Sequence, residues 1–136
     1  MKLTKSLSVP KFLLFTVALL WTGIVAYLCL IQSSDIPVIN IPNLDKCIHT
    51  FFHLVFTFVW FLFFYKQLKL DSVFKPLLIS FLLSFLFGIG IEILQGLITT
   101  TRSADVLDGV ANLIGALLAV SLVVVCDKYN ILKRIL

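Results

Sequence analysis

Residues 45–65 read DKCIHTFFHLVFTFVWFLFFY, an apolar run that carries both histidines of the chain. From Cys47 to Tyr65 it contains no Asp, Glu, Lys or Arg. At about 1.5 Å per residue, these 19 residues form a helix that nearly spans the roughly 30 Å hydrocarbon core of a bilayer. Polar residues recur at every fourth position and so share one helix face: Asp45, His49, His53 and Thr57. The stretch predicts a membrane-spanning helix with one polar stripe.

Three further stretches are also long and apolar enough to cross a bilayer. The four predicted spans are residues 12–31, 47–65, 76–94 and 106–126. Because lipid offers no hydrogen-bond partner to an open backbone, each span must be helical. The last span carries small residues at Ala111, Gly115 and Ala119, where a neighbouring helix can approach closely. The sequence therefore predicts an all-α fold, an integral membrane four-helix bundle that occupies residues 1–136 as a single domain.

The composition excludes several other classes of protein. The chain is 60% hydrophobic and 13% charged, with a mean hydropathy of +1.10, whereas soluble domains average about 45–50% apolar and 25% charged residues. Too few polar residues are present to cover a soluble domain or to keep a chain disordered. The net charge of +4 comes from basic residues scattered among apolar runs, so nucleic acid is not expected as a partner. Three separated cysteines predict neither a disulfide framework nor a thiolate zinc site.

Basic residues indicate how the bundle is oriented. Nine of the eleven lie in the two tails and in the loop between spans two and three, and only Lys46 and Arg102 lie in the other loops. Since cytoplasmic loops carry an excess of lysine and arginine, both termini are predicted to be cytoplasmic, and loops 32–46 and 95–105 to face outward. The first span is expected to be an anchor, because its apolar run is longer than that of a typical cleaved signal peptide.

Polar residues of three spans are expected to meet near the outer face of the membrane. Span two enters there with His49 and His53 in its outer half, and span three ends there with Glu92 near its end. Span four re-enters with Asp108 and Asn112 in its outer half. An ionisable group inside a membrane is costly unless it faces the bundle interior and finds a partner, so it indicates a functional site. The shared depth predicts an outward-facing polar pocket.

The residue types in this pocket allow several kinds of chemistry. Four are candidates both for catalysis and for binding a divalent metal: His49, His53, Glu92 and Asp108. Two histidines one turn apart can share a metal, although Thr50 stands where the HExxH pattern of zinc proteases has glutamate. A second possibility is that Lys46, Arg102 and the histidines recognise a lipid phosphate or a cell-wall precursor, with the carboxylates orienting them. The candidate ligand-binding residues are Asp45, Lys46, Gln95, Arg102, Asp105 and Asn112.

Structural roles for the same residues are also open. Asp45 and Asp105 could cap the starts of helices and interact favourably with the helix dipole. Glu92 and Asp108 could belong to a hydrogen-bond network with Arg102 or the histidines. The amide side chains could join neighbouring helices.

The order and spacing of these residues resemble the VanZ-like family. The run Asp45-Lys46-x-x-His49 looks like the DKxxHF-type motif that opens the second helix of that family, with Thr50 at the usual aromatic position. A later run resembles the family's E-x-x-Q…R…D…D…N…G signature: Glu92, Gln95, Arg102, Asp105, Asp108, Asn112 and Gly115. The resemblance covers roughly residues 35–120. It implies a small multi-pass bacterial membrane protein, in a family whose founding member is associated with teicoplanin resistance.

We therefore expect a multi-pass protein of the bacterial cytoplasmic (inner) membrane that binds or modifies a cell-envelope component in the outward pocket. The resemblance adds a link to glycopeptide resistance. Two alternatives are an intramembrane metal-assisted enzyme acting on a lipid-linked envelope substrate and a structural subunit of a larger membrane complex. The expected partners are the lipid bilayer and a lipid-linked envelope precursor or other membrane proteins.

Overall fold

A computed structural model describes residues 9–31, 41–100 and 104–135. Within these ranges the chain forms five helices: α1 (Lys11–Leu30), α2 (Leu44–Leu68), α3 (Phe74–Ile98), α4 (Val106–Lys128) and the short α5 (Ile131–Ile135). Helices α1 to α4 are each long and apolar enough to cross a membrane. The predicted all-α membrane bundle of four helices is confirmed.

Helices α2 and α3 extend beyond their predicted spans. Each has 25 residues, a length of about 38 Å that exceeds the hydrocarbon core of a bilayer. Lys46 and Gln95 are predicted to lie in loops, but Lys46 belongs to the first turn of α2 and Gln95 to the last turn of α3. Backbone hydrogen bonding continues past the apolar run, so hydropathy alone places the helix ends too early. Helix α5 was not predicted; its Leu132 packs against Phe61.

Helix α2 lies at the centre of the bundle and contacts α1, α3 and α4. Two tryptophan side chains fasten it to α1: Trp21 Nε1 donates to the carbonyl oxygen of Phe52 at 3.1 Å, and Trp60 Nε1 donates to Thr22 Oγ1 at 3.1 Å. Successive spans run in opposite directions, so α2 and α4 begin at the end of the bundle where α1 and α3 finish. We call this the polar end.

Small residues of α4 let this helix approach α2 closely. A Cβ added at Gly115 would overlap the carbonyl oxygen of Thr50 and lie 3.0 Å from the backbone nitrogen of Leu54. Ala111 and Ala119 are buried on the same face, and the Ala111 carbonyl oxygen accepts a hydrogen bond from Thr50 Oγ1 at 3.2 Å. Only glycine at position 115 leaves room for the α2 backbone. The small-residue stripe of α4 is therefore its contact with the central helix.

Replacing Gly115 with alanine is expected to destabilise the bundle by about 1–3 kcal/mol, because α2 and α4 must separate to admit the methyl group. Gly90→Ala on α3 is the matched control: nothing lies within 4 Å of its added Cβ, and alanine is a better helix former by about 1 kcal/mol. Thermal unfolding of both variants in detergent provides the comparison. Equal stability of the two proteins would contradict the close packing at Gly115.

Candidate functional site

One lysine at the polar end forms ion pairs with three carboxylates. Lys46 Nζ lies 2.7 Å from Asp45 Oδ2 on its own helix, and 3.1 Å from Asp105 Oδ2 and 3.0 Å from Asp108 Oδ1 at the start of α4. We call these four residues the Lys46 cluster. Because the carboxylates repel one another, the ammonium group between them allows their close approach and ties α2 to α4.

Asp105 connects three elements of the site. Its Oδ1 accepts a hydrogen bond from the Leu107 N–H at 2.8 Å and thereby caps α4. The N–H of Leu107 and then the ammonium group of Lys46 hold the pKa of Asp105 below its ordinary value of 3.8, since both favour the charged carboxylate. Its own N–H donates to Glu92 Oε2 at 3.2 Å, which links α4 to α3. The capping role open for Asp105 is confirmed. Asp45 is no cap, because Asn43 occupies that position of α2.

His49 lies one turn deeper than the lysine. Its Nδ1 is 3.0 Å from Asn112 Oδ1, and both side chains are buried, with residue exposures of 5% and 4%. Since an amide oxygen only accepts hydrogen bonds, Nδ1 must carry a proton, and Nε2 of the neutral ring is then a lone-pair donor. Nε2 faces Asp108 Oδ2 at 3.8 Å, a distance beyond a hydrogen bond.

His53 contacts a different helix from His49. Its Nδ1 is 2.8 Å from Ser84 Oγ on α3, and both residues are buried. Gly88 makes this contact possible, because a Cβ at that position would lie 3.0 Å from His53 Cε1 and 3.2 Å from Asn112 Nδ2. Ser84 is absent from the predicted site residues. It lies four residues before Gly88 and eight before Glu92, on the same helix face, and this spacing is the signal that could have identified it.

Three of the four predicted metal candidates come together. His49, Glu92 and Asp108 each offer one ligand atom, and these atoms lie within 4.8 Å of one another. We call them the His49 triad; His53 is not part of it. Glu92 Oε1 and Asn112 Nδ2 are buried and have no hydrogen-bond partner within the described ranges. The polar end thus keeps unused donor and acceptor atoms next to its charged groups.

The predicted ligand-binding residue Gln95 makes its described contact away from these groups. Gln95 is buried, and its Nε2 donates to the carbonyl oxygen of Cys29 at 2.7 Å, so its observed contact joins α3 to α1. This is the helix-joining role that was open for the amide side chains. Arg102 lies outside the described residues.

A cleft of about 420 Å³ separates α3 from α4 and reaches the polar end. The polar residues Glu92, Asp105 and Asn112 line part of its wall. The remaining large side chains along it are apolar: Phe85, Ile89, Ile93, Val106, Val110 and Leu113. Most of them are exposed on the outside of the bundle, where a membrane would place lipid. We call this feature the α3–α4 cleft.

The fold and site together define a multi-pass helical membrane protein with a polar cluster at one end of its bundle. The chain matches the VanZ/LLP1 family over residues 9–127 and belongs to that family. No curated protein and no solved structure gives a significant match. The membership confirms the predicted VanZ-like resemblance.

Replacing Lys46 with methionine is expected to lower the unfolding temperature at pH 7, because its three carboxylate partners would lose their shared counter-charge. This difference in unfolding temperature should shrink as the pH falls below 3.8, the ordinary pKa of aspartate, and then below the lowered pKa of Asp105. Lysine stabilises only the charged carboxylate, which is protonated over this range of pH. Lys75→Met, exposed at the opposite end of the bundle, is the control. Unchanged stability of Lys46→Met at pH 7 would show that the Lys46 cluster does not hold the helices together.

Proposed function

We propose that this protein of the VanZ/LLP1 family binds the polar head group of a lipid-linked cell-envelope component at its polar end. The observation that carries the proposal is the α3–α4 cleft, which is apolar along the outside of the bundle and ends at Glu92, Asp105 and Asn112. A lipid that lies in such a cleft keeps its chain in the bilayer while its head group reaches polar partners.

The charges at the polar end favour a particular head-group chemistry. Among the described residues of the polar end, four carboxylates stand against one ammonium group, and Lys46 is already engaged by three of them. A head group with hydroxyl, amide or ammonium donors matches this excess of acceptors. Glu92 Oε1 and Asn112 Nδ2 have no hydrogen-bond partner among the described residues, but both atoms are buried, so a head group bonds to them only after the side chains beside the cleft move. Sugars and peptides of envelope precursors carry these groups, whereas a phosphate alone would be repelled.

The proposed side of the membrane follows from the basic residues. Nine of the eleven are in the tails and the α2–α3 loop, which favours a cytoplasmic location for both termini. The polar end then faces outward from the bacterial inner membrane, where lipid-linked envelope components are used. A protein that holds, shields or modifies such a component there would account for the link of the founding family member to teicoplanin resistance.

A cysteine-labelling experiment tests this orientation. After Cys47, which is exposed near the polar end, is replaced by serine, Thr100→Cys should react with a membrane-impermeant maleimide in intact cells. Asp71→Cys, in the loop at the opposite end, should react only after the membrane is permeabilised. Both positions are exposed, so a difference reports sidedness and not burial. The reverse pattern would place the polar end in the cytoplasm and overturn the outward orientation.

Filling the cleft is expected to abolish lipid binding without disturbing the charged groups. Gly109 lines the cleft, and nothing lies within 4 Å of a Cβ added there. A Gly109→Leu protein purified from membranes in a mild detergent should therefore lose at least about tenfold of its co-purifying lipid, as measured by mass spectrometry. The estimate reflects the loss of roughly 1.4 kcal/mol or more of apolar contact.

Gly90→Leu is the matched control, since Gly90 also has open space around an added Cβ but does not line the cleft. It should retain the lipid of the parent protein. Equal retention by Gly109→Leu and the parent would contradict entry through the cleft. The proposed binding would also be contradicted if the parent protein retains ordinary bilayer phospholipids in bulk proportions, because a specific head-group site would enrich one class of lipid.

A further inference from the structure

We propose that the His49 triad binds a divalent transition-metal ion. Its three side chains come from α2, α3 and α4, and one ligand atom of each lies within 4.8 Å of the others. Ligands bound to a tetrahedral ion at about 2.1 Å lie roughly 3.4 Å apart. A contraction of up to about 1.4 Å between the ligand atoms therefore closes the triad around an ion, which rotation of the side chains can supply.

The imidazole of His49 is held in the orientation that a metal ligand needs. Asn112 Oδ1 accepts a hydrogen bond from the Nδ1–H group at 3.0 Å, which leaves the lone pair of Nε2 free to coordinate. Histidine ligands in metal sites ordinarily donate their other ring N–H to such a fixed acceptor. Nε2 points towards Asp108 Oδ2, 3.8 Å away. This gap is too long for a hydrogen bond and can be bridged by an ion.

Each carboxylate is likewise held through one oxygen and available through the other. Glu92 Oε2 accepts the N–H of Asp105 at 3.2 Å, while Oε1 is buried and without a hydrogen-bond partner among the described residues. Asp108 Oδ1 binds Lys46 at 3.0 Å, and Oδ2 is the oxygen that faces His49. A buried carboxylate oxygen without a partner is costly. A bound cation would provide that partner.

The donor set indicates the class of metal. Mg²⁺ and Ca²⁺ prefer sites built entirely from oxygen, whereas one imidazole and two carboxylates suit Zn²⁺ or Mn²⁺. Three protein ligands leave at least one coordination position open for water or a ligand oxygen. Glu92 lines the α3–α4 cleft, so that position can be reached from the proposed lipid entrance.

The bound ion would also contribute to head-group binding, a consequence that rests on the proposed function. It would offset the negative charge of the polar end and let the phosphate of a lipid-linked head group bind there, which the carboxylates alone oppose. It would also supply the Lewis acid that the alternative of a metal-assisted enzyme requires. Metal binding itself needs no lipid and can be measured separately.

The test uses the chain of residues 1–136 in detergent, stripped of metal with a chelator and titrated with Zn²⁺, Mn²⁺ and Mg²⁺. We expect one Zn²⁺ or Mn²⁺ per chain and weaker binding of Mg²⁺. His49→Gln, Glu92→Gln and Asp108→Asn should each weaken the affinity by at least about 100-fold, and loss of the supporting Asn112 side chain in Asn112→Ala by about 10–100-fold. Visible absorption of bound Co²⁺ should change in the same variants.

Two further variants separate coordination from general effects. Asp127→Asn makes the same change as Asp108→Asn on the same helix but at its opposite end, and should bind metal like the parent. His53→Gln should also bind normally, because the described contact of His53 is with Ser84. Size exclusion and helical circular dichroism verify that every variant is folded.

Absence of stoichiometric Zn²⁺ or Mn²⁺ binding would overturn the proposal, as would equal affinities of the Asp108→Asn and Asp127→Asn proteins. Loss of binding in His53→Gln with retention in His49→Gln would assign the ion to a different site and also overturn it. A protein that binds the ion as expected but retains no enriched lipid would support the metal site and contradict the proposed lipid function. The two failures are therefore distinguishable.

Discussion

The close approach of α2 and α4 at Gly115 is the constraint on which the polar end depends. With no side chain at this position, the backbone of α2 around Thr50 can contact α4 directly. That spacing allows Lys46, one turn from Thr50, to reach Asp108, two turns from Gly115, and it allows His49 to reach Asn112. Hydrogen bonds form only over a narrow range of distances, about 2.7–3.2 Å for N–H···O. A small residue with no chemistry of its own thus determines whether the charged residues can meet.

Some polar groups at the polar end have hydrogen-bond or ion-pair partners, whereas two buried atoms beside them have none among the described residues. The ion pairs of the Lys46 cluster join α2 to α4, and a hydrogen bond to Asp105 caps α4. A few ångströms away, Glu92 Oε1 and Asn112 Nδ2 have no hydrogen-bond partner in the described part of the chain. Natural proteins tolerate such costs mainly at functional sites. The contrast supports the binding site proposed above, in which the surrounding contacts hold these two atoms in place.

Several features were predictable from the sequence because they depend on one helix at a time. Hydropathy over about 20 residues identifies each membrane span without any knowledge of its neighbours. A four-residue spacing likewise places His49, His53 and Thr57 on one face, and all three are buried. The helix ends were less predictable: Gln95 lies in α3 and not in a loop, since backbone hydrogen bonding extends a helix beyond the apolar run.

Partners, in contrast, were decided by the tertiary structure. His49 and His53 share a stripe, yet one contacts Asn112 on α4 and the other Ser84 on α3. Periodicity assigns a residue to a face of its own helix, but rotation, tilt and separation of the neighbouring helices determine what that face meets. The sequence by itself therefore determined the membrane bundle, its family and the end of the bundle where polar residues gather. Only packing between helices decided that His49, and not His53, joins Glu92 and Asp108, because a meeting of three side chains depends on the separation of their helices to within about an ångström.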